Sequence, residues 1–304
     1  MQKVYIVVPM YNAKSQIDNA IKSVLAQKQV EITLVLVDHG SKDGTLKYVQ
    51  EKYSGYNKIV IIGLTRIPNE IRSASRPLNT GMKYVAENAS ESAWVMRLDS
   101  DDVLVDEYTI SKVLENHKKE NTFLSGSMIF IDTNQKIAQE YCQSSEYNTV
   151  KALRKGAAYA YPHHSTLVSI KLLKRILSKD GYCYCEKIGY GEDLDYTLRL
   201  LAECNEQQVY FSNVPMIIKE LSGDTITNSV KFRTLMYDHY IIFTRNKCLS
   251  RVLYLRIVLW YLFENAGKIG KKINSLRTPP AGKYSISNVL DFKEINFMKE
   301  KWQN

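Results

Sequence analysis

The sequence predicts an α/β fold built on a mostly parallel, Rossmann-like sheet with helices on both faces. Apolar runs of strand length recur at residues 4–8, 32–37 and 94–98, and they read as strands buried on both sides. Between them lie stretches with helical spacing of apolar residues, giving the order strand, helix, strand, helix, strand. Several of the strands stop at acids, which places carboxylates along one rim of the sheet.

The first strand, residues 4–8, is closed by Pro9 and followed by Tyr11 and Asn12. Ile17, Ile21, Val24 and Leu25 then share one helix face. The second strand, 32–37, runs into Asp38 and the turn His39-Gly40-Ser41-Lys42-Asp43-Gly44-Thr45, with Asp43 read as the N-cap of a helix over 46–52. A third strand is predicted at 59–62, and a helix carrying Met82, Val85 and Ala86 leads into the fourth. That strand, Trp94, Val95, Met96 and Leu98, stops at Asp99, Asp101 and Asp102. A helix over 106–117, a strand over 123–131, a helix with Leu172, Leu173, Ile176 and Leu177, and a helix opening on Glu192 and Asp193 follow.

In open sheets of this kind ligands bind outside the carboxyl ends of the strands. Tyr11, Asn12, Asp38, Asp99 and Asp101 therefore converge on one edge. Tyr11 offers a ring on which a planar base can stack, and Asp38 can accept from the base or a ribose hydroxyl. Gly40 and Gly44 let backbone come close to a ligand. Asp99 and Asp101 are spaced to hold Mg2+ or Mn2+ against a diphosphate, although three acids in a turn serve equally as a solvated helix cap. His163 and His164 read as loop or core residues in preference to metal or phosphate contacts. Glu192 and Asp193 sit where a helix dipole favours negative charge, and an ionised carboxylate beside a pocket can act as a general base.

The 304 residues suffice for one large domain or a domain with an appendage. Five cysteines form no C-x-x-C pair and are expected to be reduced. The short apolar start lacks the length of a secretory signal, which points to the cytoplasm. Net charge is +9, and all of the excess sits in residues 230–304, with 14 Lys and Arg against 5 Asp and Glu. The expected division is therefore a domain over 1–222 and a basic, helical C-terminal extension over 223–304. Residues 232–243 and 252–263 are dense in large apolar side chains, but the second run is short of the ~20 residues needed to cross a bilayer. Core packing, a homo-oligomer interface, or a peripheral contact with an anionic membrane aided by Lys268, Lys271, Lys272 and Arg277 are the alternatives.

Val8-Pro9-Met10-Tyr11-Asn12, the Asp38–Thr45 turn, Asn79-Thr80-Gly81, Leu98-Asp99-Ser100-Asp101-Asp102 and Gly191-Glu192-Asp193 together resemble the successive motifs of glycosyltransferase family 2 over roughly residues 1–220. The resemblance implies a GT-A fold and inverting transfer from a nucleotide-diphosphate sugar, UDP-linked by family habit, to a hydroxyl of a glycan or lipid-linked acceptor. By the same resemblance the product would belong to a bacterial capsule, O-antigen or lipopolysaccharide. It assigns Pro9, Tyr11, Asn12 and Asp38 to the nucleoside, Asp99 to ribose and metal, Asp101 to Mn2+ or Mg2+, Asp193 to the base, and Glu192 to its support. Two departures stand out. His39 replaces a common second acid, and Leu78 replaces an arginine, leaving Arg72 and Arg76 as the nearest guanidiniums, with Arg76 the candidate for the diphosphate. A nucleotidyltransferase would leave Asp193 without a role. A non-catalytic membrane or nucleic-acid module would make binding steeply salt-dependent, and nucleic acid is the less expected of those two partners.

Overall fold

The computed structural model describes residues 1–71, 73–142, 163–220, 232–246 and 285–303. In chain order the elements are β1 (Gln2–Met10), α1 (Ile17–Leu25), β2 (Val30–Asp38), α2 (Thr45–Tyr53), β3 (Ile59–Gly63), α3 (Ser75–Asn88), β4 (Trp94–Arg97), β5 (Val103–Leu104) and α4 (Thr109–Glu115). There follow β6 (Phe123–Asp132), β7 (Ile137–Cys142), β8 (Thr166–Ser169), α5 (Ile170–Asp180), α6 (Glu192–Ala202), β9 (Val209–Glu220), α7 (Phe232–Arg245), β10 (Ser285–Leu290) and α8 (Phe292–Gln303).

One sheet runs in the order β10-β7-β6-β8-β4-β1-β2-β3, with β9 against β6 and β5. The expected parallel half is β4-β1-β2-β3. Alternation along β1 sorts its side chains to two cores. Val4, Ile6 and Val8 pack with Ile17, Ile21 and Val24 of α1, Val49 of α2 and Val113 of α4, while Tyr5 and Val7 pack with Leu78, Met82 and Val85 of α3. Gly81 explains itself here: a Cβ at that position would lie 2.4 Å from Cγ1 of Val7, so α3 rests against the sheet only because residue 81 has no side chain.

Beyond β4 the sheet turns antiparallel. β8 pairs antiparallel with both β4 and β6, so the chain entering β8 lies at the carboxyl end of β4, beside the acids. The helix expected over 106–117 is the shorter α4, because Asp106 and Thr109 form a turn instead: Tyr108 N–H donates to the Asp106 carboxylate at 2.8 Å and Asp106 N–H to the Thr109 hydroxyl at 2.9 Å.

Part of the C-terminal stretch returns to the sheet. β10 pairs antiparallel with β7, covering backbone groups that an edge strand would leave unpaired. Ile295 and Trp302 of α8 are buried in a third core with Val103, Ile129, Ile131 and Ile218. No helix among the described residues is long and apolar enough to cross a membrane. Arg72, residues 252–263 and Lys268, Lys271, Lys272 and Arg277 lie outside the described residues.

Candidate active site

The lip formed by β1 and β2 carries the first group of residues expected at a ligand. Pro9 lies one residue before the end of β1, Asp38 ends the adjacent parallel β2, and Asp38 is buried. Its Oδ2 accepts from the N–H groups of Gly40 and Ser41, each at 3.0 Å, and its Oδ1 accepts from the Ser41 hydroxyl at 2.5 Å. Asp38 thus also shapes the turn, where Gly40 has φ +71° and a Cβ would meet Arg66. Asn12, itself at φ 50°, locks onto the same turn: its N–H donates to Ser41 Oγ and its Oδ1 accepts from Lys42 N–H at 2.8 Å. Asp43 accepts from the N–H and hydroxyl of Thr45, with Gly44 rather than Asp43 at the N-cap of α2.

Above this turn, Arg66 lies 4.8 Å from the centre of the Tyr11 ring. His39 Nε2 is 2.8 Å from Glu70, which also pairs with Arg76 at 3.5 Å. The position where an acid was expected thus holds a histidine that recruits an acid from elsewhere. Arg76 additionally donates to the Thr65 carbonyl at 2.9 Å. The Asn79 side chain bridges α3 to the segment before α6, accepting from the N–H groups of Cys183 and Tyr184 and donating to the Tyr184 carbonyl.

The second group gathers at the ends of β4, β8 and β9 and the start of α6. Arg97 is the hub: its Nε donates to Asp99 Oδ1 at 2.9 Å and its Nη1 reaches Glu192 at 3.4 Å. Lys219, near the end of β9, lies 3.4 Å from Asp99 Oδ2 and 3.2 Å from Asp102 Oδ2. His164 places Nδ1 3.4 Å from Asp99 and Nε2 3.3 Å from Asp193. Burial pushes the Asp99 carboxyl up, but Arg97, His164 and Lys219 outweigh it and hold Asp99 well below the usual range. Asp193 follows the same pattern, with His163 and His164 overcoming burial, so it stays ionised. Burial opposes the charged imidazole of His164, yet the Asp99 charge and the other carboxylates lift it to about 9. Burial and the Asp193 charge together raise Glu192.

Ligand atoms of Asp99, Asp102 and His164 all lie within 4.8 Å of one another. Two carboxylates and an imidazole suit a divalent ion such as Mn2+, provided the Lys219 ammonium withdraws. Asp101, exposed at the rim, is not part of this group, because Asp102 N–H bonds back to the Asp99 carbonyl at 3.1 Å and closes a turn. Desolvation beside the cluster and the charges of Asp102 and Asp99 raise the Asp101 carboxyl to about 6. The sign follows by linkage: between the ordinary value of 3.8 and about 6 the folded state binds the extra proton, so stability falls as pH rises through that window. Asp101→Asn is therefore expected to raise Tm in EDTA at pH 7.5 by about 2 °C, a figure discounted for solvent screening, and to leave it unchanged near pH 4. Melting curves at the two pH values check this; equal shifts at both would sink it.

Helix α6 is held firmly behind its acidic first turn. Gly191, at φ +81°, supplies the left-handed turn into the helix. Asp238 of α7 accepts from the N–H groups of Gly189 and Tyr190 at 3.1 and 2.9 Å. Asp195, fully buried, pairs with Arg199 at 3.0 Å and Arg245 at 3.7 Å and accepts from Asn246.

Sequence patterning thus brings Pro9, Tyr11, Asn12 and Asp38 to one lip, and Asp99, Glu192 and Asp193 to the other. It missed Arg97, Asp102, His164 and Lys219. A readable signal existed for His164: the four residues Thr166–Ser169 between it and α5 are long enough for a strand.

A glycosyl transferase family 2 model matches residues 5–177, and the chain belongs to that family. It is 32% identical over 124 residues to poly(ribitol-phosphate) beta-N-acetylglucosaminyltransferase TarP of Staphylococcus aureus, a stretch covering 40% of this chain and 34% of that protein. The chain thus spans about a third of that curated relative's length. S. aureus TarS 1-349 in complex with UDP superposes with a TM-score of 0.56 at 19% identity, over 91% of this chain and 75% of that one. Mannosyltransferase PcManGT from Pyrobaculum calidifontis, in complex with GDP-Man and Mn2+, gives 0.55 at 12% identity, over 99% and 84%. These two likenesses establish the GT-A glycosyltransferase fold.

Proposed function

We propose that the protein is an inverting glycosyltransferase that moves a sugar from a UDP-linked donor to a hydroxyl of a bacterial surface glycan or lipid-linked acceptor. The observation that carries this reading is the single cluster in which Asp193, at the mouth of α6, is joined through His164 to Asp99 and Asp102 at the strand ends. The TarP likeness favours a poly(ribitol-phosphate)-like chain as the acceptor class and N-acetylglucosamine as the sugar.

In this reading Tyr11 and Asp38 hold the nucleoside at the first lip. A divalent cation held by Asp99, Asp102 and His164, with Asp101 at its rim, would neutralise charge on the departing diphosphate. The five carboxylates Asp99, Asp101, Asp102, Glu192 and Asp193 exceed the cationic Arg97, His164 and Lys219 by two charges, the excess a divalent ion removes. Asp193 takes the proton of the acceptor hydroxyl as that oxygen bonds to the anomeric carbon. The anomeric carbon's bond to the diphosphate breaks with its electron pair leaving on oxygen, and one in-line displacement inverts the centre. Arg97 holds Glu192 and Asp99 in register while this happens. The basic segment 230–304 would meet the inner face of the cytoplasmic membrane, where lipid-linked acceptors are presented.

Thermal melts with UDP, GDP, CDP and UDP-N-acetylglucosamine, each with and without Mn2+, test the donor site, since a ligand bound only by the native state raises Tm. Stabilisation by uridine nucleotides that requires Mn2+ is expected. Absence of any nucleotide response would overturn the assignment.

A further inference from the structure

His164 stands between the two halves of the site, and its geometry poses a valence problem. Nδ1 is buried and has no hydrogen-bond partner among the described residues. It lies 3.4 Å from Asp99 Oδ2 and 3.9 Å from Asp102 Oδ2, while Nε2 on the far side of the ring lies 3.3 Å from Asp193 Oδ2. An ionised carboxylate can only accept, so Asp193 calls for the ring N–H at Nε2. With its second proton displaced, the ring presents a lone pair at Nδ1 that converges with two carboxylates, which can only accept. The Lys219 ammonium, 3.4 Å from Asp99 and 3.2 Å from Asp102, serves the two carboxylates but leaves Nδ1 without a partner, whereas a divalent ion in its place would serve all three acceptors.

We infer that His164 is a two-sided positioning residue, binding the divalent cation through Nδ1 and orienting the base Asp193 through Nε2–H, so that cation binding and base placement are a single event. Metal-bound histidines ordinarily hand their second N–H to a carboxylate that serves only to steer the ring. Here that outer carboxylate is Asp193 itself. The role of Asp193 as base rests on the function proposed above; the cation linkage does not.

The test is Mn2+ affinity of the full chain without nucleotide, read from the EPR signal of free Mn2+. His164→Gln can carry an amide N–H to the Nε2 position but has no atom at Nδ1, and it is expected to weaken Mn2+ binding by about 10–100-fold. His164→Asn places an amide oxygen near Nδ1 and should lose less. At the other end, Asp193→Asn keeps an acceptor and loses the charge, whereas Asp193→Ala loses both. Weaker Mn2+ binding in the Ala than in the Asn variant therefore reads the hydrogen bond alone. Wild-type affinity in His164→Gln, or an Asn variant at 164 weaker than the Gln one, overturns the ligand role. Equal affinities for Asn and Ala at 193 overturn the linkage. Because no sugar nucleotide is present, a failed nucleotide response with these Mn2+ effects intact would remove the proposed reaction and leave this inference standing, and the converse pattern would remove only the inference.

Discussion

Asp193→Asn is expected to slow sugar transfer by about 10²–10⁴-fold, the usual contribution of a positioned general base, while the Kd for UDP in the presence of Mn2+ stays within a few-fold of the unaltered protein. The carboxylate sits at the first turn of α6, on a different element from the β1 and β2 lip assigned to the nucleoside. Its Oδ1 accepts from Leu194 N–H at 2.7 Å and its Oδ2 faces His164, so the Asn variant retains the shape of the site and loses the capacity to take a proton. Burial would raise its proton affinity, but His163 and His164 hold it below the ordinary range, so this group should not switch activity off between pH 6 and 8. Transfer of labelled sugar and calorimetric titration with UDP separate the two quantities. A comparable loss of UDP affinity would remove Asp193 from the role of base and make it part of the donor pocket.

Arg199→Ala carries the largest expected cost in stability, about 3 kcal/mol, toward the low end of what breaking a buried ion pair costs. Arg199 donates to Asp195 Oδ2 at 3.0 Å, to Asp180 at 2.9 Å, to the Tyr182 carbonyl at 3.3 Å and to the Cys183 carbonyl. Truncation leaves Asp195, at 0% exposure, with Arg245 and Asn246 as its side-chain partners among the described residues, and strips a donor from the Tyr182 carbonyl and from the buried Cys183 carbonyl. It also unties α6 from the end of α5, with Asp193 one half-turn away. Urea denaturation measures the change directly, and a loss under about 1 kcal/mol would show that Arg245 alone compensates the buried charge.

The parallel half of the fold was legible because strands covered on both faces are predominantly apolar, and β1, β2 and β4 are so through their buried stretches. Asp38, Asp99 and Asp193 were legible because each ends a strand or opens a helix, so local pattern alone fixes its place. Arg97 was not: a single charge inside an apolar run gives no sign that Asp99 and Glu192, the second of them 95 positions further on, will share it. His164 and Lys219 arrive on β8 and β9, antiparallel to β4 and β5, and only long-range pairing decides which rim those strands approach. The choice between Asp101 and Asp102 depends on one backbone turn, from the Asp102 N–H to the Asp99 carbonyl, that alternation does not encode. β10 escaped notice because its partner strand is supplied more than 140 residues earlier.

The two surplus negative charges at the strand ends set selection for durability against selection for use. Each neutralising substitution there relieves repulsion in the empty protein, so a library screened solely for heat resistance would drift toward amides at Asp101 and Glu192. A population kept by survival on its product would hold the acids instead. Comparing the residue frequencies that emerge from the two regimes would outline the reactive centre without any structure, as the positions where the two pressures pull apart.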